Sequence, residues 1–364
     1  MIIHLRYKYF FLLSFLIAYF VSDVSFIIRE YLPIIDDYLY GRRFPTMSKS
    51  TTPILIVEID DETVKRYGYL PYKRSSYGEV ISRILEGKPK VLGIDIFFYK
   101  IRDLNDDIKL VKILENAKSN VVLAYEKDEL DRLLLNQLSY KTAYRNNDNV
   151  TLANAKVTHV SYNNESFAID VNTDTYKGKD YLPFPFEVVS KYLGGKAIHS
   201  FYKNLSYHYT LINYTDRKFP SIPFWKVKDT EPAVFKDKIV LIAATSLPLG
   251  DIHQTPISKK TPGTYILAYT IDMLLNGNFI VPIDENHQKA LTFLAAFVTS
   301  LIALTLKRLP AFFVTIFSII AIKLVTDMLF HDYLIYMYFV PFLFALLITH
   351  LIVIVYTNTL KSVC

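Results

Sequence analysis

Apolar positions along the chain fall into two regimes. Residues 9–28 are apolar apart from serines and Asp23, matching the ~20 residues that cross a hydrocarbon core. Three similar runs lie near the other end, at 288–306, 309–330 and 334–356, parted only by Lys307-Arg308 and by His331-Asp332-Tyr333. Those two connections predict tight hairpins. A cleaved leader is the competing reading of the first run, but that run is long and no small-x-small site follows it.

Between these runs the pattern is that of a water-exposed domain. Continuous apolar stretches at 54–59, 91–97, 120–124 and 238–244 predict strands buried on both faces, as in parallel sheets. Helical periodicity predicts helices over 75–86 (Ser75 as N-cap, Gly87 as stop), 106–116, 187–193 (stopped by Gly194-Gly195) and 264–276 (ending at Gly277), with a short amphipathic helix after Pro33. Residues 207–214 alternate and predict a strand. From 125 to 180 the periods are short, which predicts an irregular insertion with one hairpin. The strand–helix order predicts an α/β domain with a mainly parallel sheet flanked by helices and right-handed crossovers.

Charge orients the whole. Arg6, Lys8, Lys307, Arg308 and Lys361 fall on one side of the predicted spans, while the opposite hairpin carries Asp332 and no Lys or Arg. The positive-inside rule then places both termini in the cytoplasm. The expected organisation is a cytoplasmic N-terminus (1–8), a transmembrane helix (9–28), an extracytoplasmic domain (29–287), transmembrane helices at 288–306, 309–330 and 334–356, and a cytoplasmic tail (357–364), in a cell membrane. The formal net charge of +6, from 41 basic and 35 acidic residues, gives no basic run that would track nucleic acid. The single cysteine, Cys364, excludes an intramolecular disulfide. Within the predicted spans, Lys323 and Asp327 stand four apart on one helix, and Asp23 is predicted at similar depth. An Asp23–Lys323 contact would tie the first helix to the others; the alternative is that all three reach water at the membrane surface.

Several motifs stand in a definite order. Ile59-Asp-Asp-Glu62 ends a strand; Gly68-Tyr-Leu-Pro-Tyr-Lys-Arg74 and Gly93-Ile-Asp-Ile-Phe97 follow. Much later come Phe235-Lys-Asp-Lys-Ile-Val-Leu-Ile-Ala243, Leu249-Gly-Asp-Ile-His-Gln-Thr-Pro256 and Pro262-Gly263. This order, followed by three membrane helices, resembles the type-two CHASE domain, an extracellular sensory domain of bacterial signalling proteins. Leu70-Pro-Tyr-Lys-Arg74 stands where the family usually has a Trp-Pro-Trp-Pro-Arg-like sequence, and keeps its apolar–Pro–aromatic–x–Arg character. Family members typically continue into a cyclase or kinase module, whereas this sequence stops eight residues after the last predicted span. The resemblance therefore implies a sensory input that acts through a separate effector in the membrane or cytoplasm, or through a homodimer.

Ligands of parallel sheets gather beyond the carboxyl ends of the strands. Asp60 lies at such an end, Asp251 and His253 follow another strand, and Asp95 lies within a third. Together with Arg74 as counter-charge they are the candidate ligand site. The plainer alternative is that these acids cap helices and turns and pair with Arg74. No ligand spacing characteristic of a metal is present, and no cofactor is expected. A loop around Gly250 offers a weak anion cradle. A constitutive envelope scaffold is the second reading and a metal-dependent hydrolase a distant third, since no nucleophile–base pair is visible.

Overall fold

The computed structural model describes residues 2–48, 50–98, 103–125, 147–155, 157, 166–176, 179–195, 209–249 and 251–363. The chain forms two compact units, one built on Pro45–Val160 and Asn164–Phe279, the other chiefly on Met1–Phe44 and Ile280–Cys364.

The first unit is an α/β domain. Its strands are β1 (Ile54–Ile59), β2 (Val91–Asp95), β3 (Asn120–Tyr125), β4 (Val150–Asn154), β5 (Ala168–Asp170), β6 (Asp174–Tyr176), β7 (Lys179–Tyr181), β8 (Tyr209–Leu211), β9 (Ser221–Pro223), β10 (Ile239–Ala244), β11 (Ile252–Thr255) and β12 (Ser258–Pro262). Six of them form one sheet in the order β4-β3-β2-β10-β1-β9, parallel throughout. β5–β8, β6–β7 and β11–β12 are small antiparallel pairs. The α/β fold and its mainly parallel sheet are as the strand–helix order predicts. β4 lies in the segment expected to be irregular; it adds the edge strand there, and β6–β7 is the expected hairpin.

Register divides the side chains between two faces. Leu55, Val57 and Ile59 of β1, Val240 and Ile242 of β10, and Leu92 and Ile94 of β2 share one face. They pack in one core with Tyr77, Val80, Ile81 and Ile84 of α4 (Arg74–Glu86, preceded by α3, Asp61–Tyr67) and with Leu110, Val111 and Leu114 of α5 (Leu104–Glu115). The other face carries α6 (Phe184–Leu193) and α7 (Gly263–Asn276), which pack on β2, β3 and β10. Gly93 of β2 lets α6 approach: a Cβ there would stand 2.8 Å from Leu241 and 2.9 Å from Phe184. α6 and α7 end at Gly194 and Gly277, both left-handed, the usual way to stop a helix.

Among the predicted boundaries that shift, two helix starts do so for a visible local reason. Helix α4 starts at Arg74 rather than after Ser75, because the Ser75 N–H is accepted by Asp106 of α5 at 3.0 Å, a cap supplied by a neighbouring helix. Helix α5 starts at Leu104, because Asp103 caps it through the N–H groups of Asn105 and Asp106.

The second unit holds α1 (Ile2–Tyr31), α2 (Pro33–Gly41), α8 (Glu285–Thr305), α9 (Arg308–Tyr333) and α10 (Val340–Val363). Four of these helices are long and apolar enough to cross a membrane. α1 packs on α8 and α10 around Ile17, Ala18, Val21, Ala296, Ala303, Ala345 and Val353, with Ser300 3.2 Å from Ser14 in the seam. The last span starts at Val340, not 334. Leu334 turns left-handed to end α9, and β14 (Ile335–Tyr336) pairs in parallel with β13 (Val281–Pro282) before α10 begins.

The intramembrane charges follow from this packing. Lys323 pairs with Asp327 one turn away on α9, and Asp327 also accepts from Arg43 Nε at 3.0 Å. The Asp23–Lys323 contact does not form: α1 packs on α8 and α10, and Asp23 lies within electrostatic reach of Lys289 of α8 instead. The tie between the N-terminal segment and α9 is Arg43, whose side chain is 3% exposed and lies between the rings of Phe330 and Tyr336.

One glycine tests the domain packing. A Cβ on Gly87 would stand 2.1 Å from the backbone oxygen of Pro232. Gly87→Ala is expected to destabilise the α/β domain by about 1–3 kcal/mol, since backbone cannot rotate away as a side chain does, read as a lowered thermal midpoint of the detergent-solubilised protein.

Candidate functional site

In a parallel sheet all carboxyl ends lie along one edge, where ligands collect. Here β10 lies between β1 and β2, so Glu58, Ala243 and Asp95 stand level across three strands on the α6–α7 face. Tyr265 of α7 donates its hydroxyl to Glu58 at 2.6 Å. Burial, then the bond to Glu58, pushes the Tyr265 hydroxyl well above its ordinary range, so it remains a neutral donor. Neither Glu58 nor Tyr265 was among the predicted site residues. The available signal was Glu58 itself, a lone charge in an otherwise apolar strand.

Asp251 and His253 belong to this side of the edge. His253 Nε2 is 2.9 Å from Asp251 Oδ1. The Asp251 carboxylate also presses on the start of α7: its backbone oxygen accepts the Gly263 N–H at 3.1 Å, and a Cβ on Gly263 would stand 2.5 Å from Oδ2. Glycine at 263 lets the carboxylate come this close, where it meets the positive end of α7's dipole.

Asp60 and Arg74 are placed otherwise. Asp60 caps α3, accepting from the Thr63 N–H at 2.8 Å and the Thr63 hydroxyl at 2.6 Å. Asp61 accepts from the Ser246 hydroxyl, which joins α3 to the segment after β10. Arg74 pairs with Asp107 of α5, Nε to Oδ1 at 3.0 Å, with both side chains at or below 5% exposure, and its guanidinium lies 4.5 Å from the centre of the Phe98 ring. Asp107 is thus the partner that spacing did not reveal, since it lies 33 residues away on another helix.

This arrangement explains the Leu70–Arg74 motif. Tyr72 and Arg74, two apart, both turn inward while Lys73 between them is exposed. Tyr72 joins Tyr67, Tyr77 and Phe224 in an aromatic cluster that Phe98 completes. Its hydroxyl is pushed up to about 12 by burial, then by the Asp60 charge.

The predicted residues thus fall into separate arrangements: Asp251 with His253, Asp95 level with Ala243, Asp60 on α3, and Arg74 with Asp107. Among the described residues no group of three or more His, Cys, Asp or Glu side chains is disposed to hold a metal ion. The expected anion cradle at Gly250 lies outside the described residues.

A second polar network lies at the opposite end of α7. Asp272 accepts from the hydroxyls of Ser50 and Thr52 and pairs with Arg217, which also donates to Ser50 Oγ at 2.6 Å; Asn276 Nδ2 reaches Ser50 Oγ at 2.9 Å. Nearby, Asn213 accepts from the Thr46 hydroxyl at 2.6 Å and donates to the Asn278 oxygen at 3.3 Å. The segment entering the domain and the one leaving it are bonded to a common set of side chains.

An α/β domain whose chain is continuous on both sides with membrane-spanning helices defines a membrane-anchored α/β protein. The CHASE2 domain family model matches residues 12–305, from within α1 to the end of α8, and the chain belongs to that family, whose domain is an extracellular sensory one. No curated protein and no solved structure is significantly similar to the chain.

Arg74→Leu is expected to cost about 3–5 kcal/mol by removing the guanidinium from a buried Asp107 carboxylate. Adding Asp107→Leu recovers most of the loss, read from denaturation midpoints of the single and double variants.

Proposed function

We propose that the protein is a sensor whose α/β domain lies outside the cytoplasm, binds a small molecule or envelope component at the carboxyl edge of its sheet, and passes the event through its membrane helices to a partner protein. The candidate ligand residues are Asp60, Arg74, Asp95, Asp251 and His253, with Glu58 and Tyr265 beside them. Family membership supports the sensory role, and the charge pattern of the predicted spans supports both termini being cytoplasmic.

The observation that carries the reading is the course of α7. Its first turn takes the Asp251 carboxylate and the Tyr265–Glu58 bond, and its last turns carry Asp272 and Asn276. A ligand that displaces Asp251 or breaks Tyr265–Glu58 acts on the start of a helix whose far end is bonded to the entering segment and continues into the leaving one. A shift of that helix is a mechanical signal delivered to both connections. The recipient is a separate effector in the membrane or cytoplasm, or a second copy in a homodimer. Sensing by this route needs no chemistry at the edge.

The full-length protein in lipid nanodiscs is to be screened against small molecules and envelope fragments by thermal shift. A ligand whose affinity falls at least about tenfold in Asp251→Ala and in Tyr265→Phe supports the edge as the site, the loss matching one buried hydrogen bond or charge contact. Ligands whose binding ignores every substitution along the edge would sink it. Cross-linking in cells separates sensor from scaffold, because a scaffold keeps one partner set under all conditions.

A further inference from the structure

Asp36 is a carboxylate at 4% exposure in the joint between α2 and α10. Its Oδ1 accepts the backbone N–H groups of Phe339 and Val340, both at 3.1 Å. These stand at the start of α10, where N–H groups lack partners within the helix. Its Oδ2 is buried and receives no hydrogen bond from the described residues; Arg29 Nε stands 3.5 Å away as its ion-pair partner. Arg29 is shared, since its guanidinium lies 3.3 Å from the centre of the Tyr338 ring. Gln288 of α8 holds Tyr338 from the other side, donating to its oxygen at 2.6 Å and accepting its N–H at 3.1 Å.

The titratable and charged groups around Asp36 come from every element at the joint. α1 supplies Arg29; α2 and the residues after it supply Asp37, Tyr40 and Arg43; the α9–α10 connection supplies Tyr336 and Tyr338. The first turn of α10 offers Asp36 backbone N–H groups and no charge. Arg43 is matched by Asp327 of α9 at 3.0 Å, which leaves Arg29 as the principal counter-charge of Asp36. Among the described residues the carboxylate is hydrogen-bonded through Oδ1 only, with Arg29 as the ion-pair partner of Oδ2, in surroundings that penalise its charge; Oδ2 is the position where a proton would sit.

We propose that Asp36 is a proton-binding site that makes the docking of α2 on the start of α10 depend on pH, with acid holding the two together and alkali loosening them. Burial raises the Asp36 carboxyl from its ordinary 3.8 to about 6, against the opposing pull of the helix-end N–H groups and Arg29. The sign follows from linkage: the state that holds the proton more tightly gains as pH falls. Docked Asp36 holds its proton more tightly than the same residue exposed to water. From pH 7 to pH 5 the ratio of docked to undocked forms rises about tenfold, and the gain levels off below the ordinary value of 3.8. The joint needs no ligand on the α/β domain, so it stands or falls separately from the sensory site. In the proposed orientation it lies at the outer membrane surface, exposed to the pH outside.

Amide hydrogen exchange by mass spectrometry tests this on the full-length protein in nanodiscs of zwitterionic lipid, with rates corrected for the intrinsic effect of pH. Protection of peptides spanning residues 335–345 is expected to rise about tenfold from pH 7 to pH 5 in the unmodified protein. Asp36→Asn, neutral at every pH and similar in shape, should keep that region protected with no pH response. Arg29→Gln removes the counter-charge and should move the midpoint upward. Protection that ignores pH in the unmodified protein, or a response that persists in Asp36→Asn, overturns the proposal. If Asp36→Asn does not fold, Arg29→Gln decides, and an unmoved midpoint overturns it.

Discussion

The α/β domain depends on the insertion of β10 between β1 and β2. Those two strands lie early in the chain, yet they do not pair with each other; the backbone groups on their facing sides find partners only in residues 239–244, which lie between them. A parallel sheet tolerates no uncovered face, so α4 and α5 cover one side and α6 and α7 the other. The same insertion sets the chemistry of the edge. It places Ala243 between Glu58 and Asp95, and it delivers the segment bearing Asp251, His253 and Tyr265 to the carboxyl ends of strands made nearly two hundred residues earlier.

Charges inside the domain are handled by pairing. Arg74 with Asp107 and Arg217 with Asp272 are buried or nearly so, and such pairs contribute little net stability relative to apolar substitutes while being costly to break. Their positions are instructive. The first fixes α4 against α5 beneath the edge. The second gathers Ser50, Thr52 and Asn276 at the opposite end, where the chain enters and leaves. A buried pair of this kind favours one arrangement over nearby alternatives, which is what a domain needs if a small shift of α7 is to be read as a distinct state rather than a gradual drift.

The membrane unit uses the same economy. Its long helices pack through small side chains and a Ser14–Ser300 contact, as apolar helices in lipid must, since lipid itself gives them no hydrophobic reason to associate. Its directional contacts are concentrated at one end, in Arg43 with Asp327 and Asp36 with the start of α10. That end is also where β13 pairs with β14. Short polar joints at a helix end, rather than the apolar seam, are where a small change in charge alters which surfaces stay together.

Local pattern alone determined much of this. Four apolar runs, four buried strands and their intervening helices were legible because span length, strand burial and glycine stops are properties of neighbouring residues. Gly194, Gly277 and the Asp60-Asp-Glu turn act where they stand. What only the tertiary structure decided were partnerships across distance. Asp60, Arg74, Asp95, Asp251 and His253 stood in the sequence as one candidate group; the sequence did not show that Arg74 belongs to Asp107, that Asp60 caps its own helix, or that Tyr265 bonds Glu58. Strand β4 was missed because its pairing with β3 is non-local. The start of α4 moved because its cap comes from α5, and α1 packs on α8 and α10 rather than bringing Asp23 to Lys323 of α9. Periodicity records which face of an element is buried; it carries no record of which element buries it, and that choice sets the long-range pairs Arg74–Asp107, Arg217–Asp272 and Arg43–Asp327.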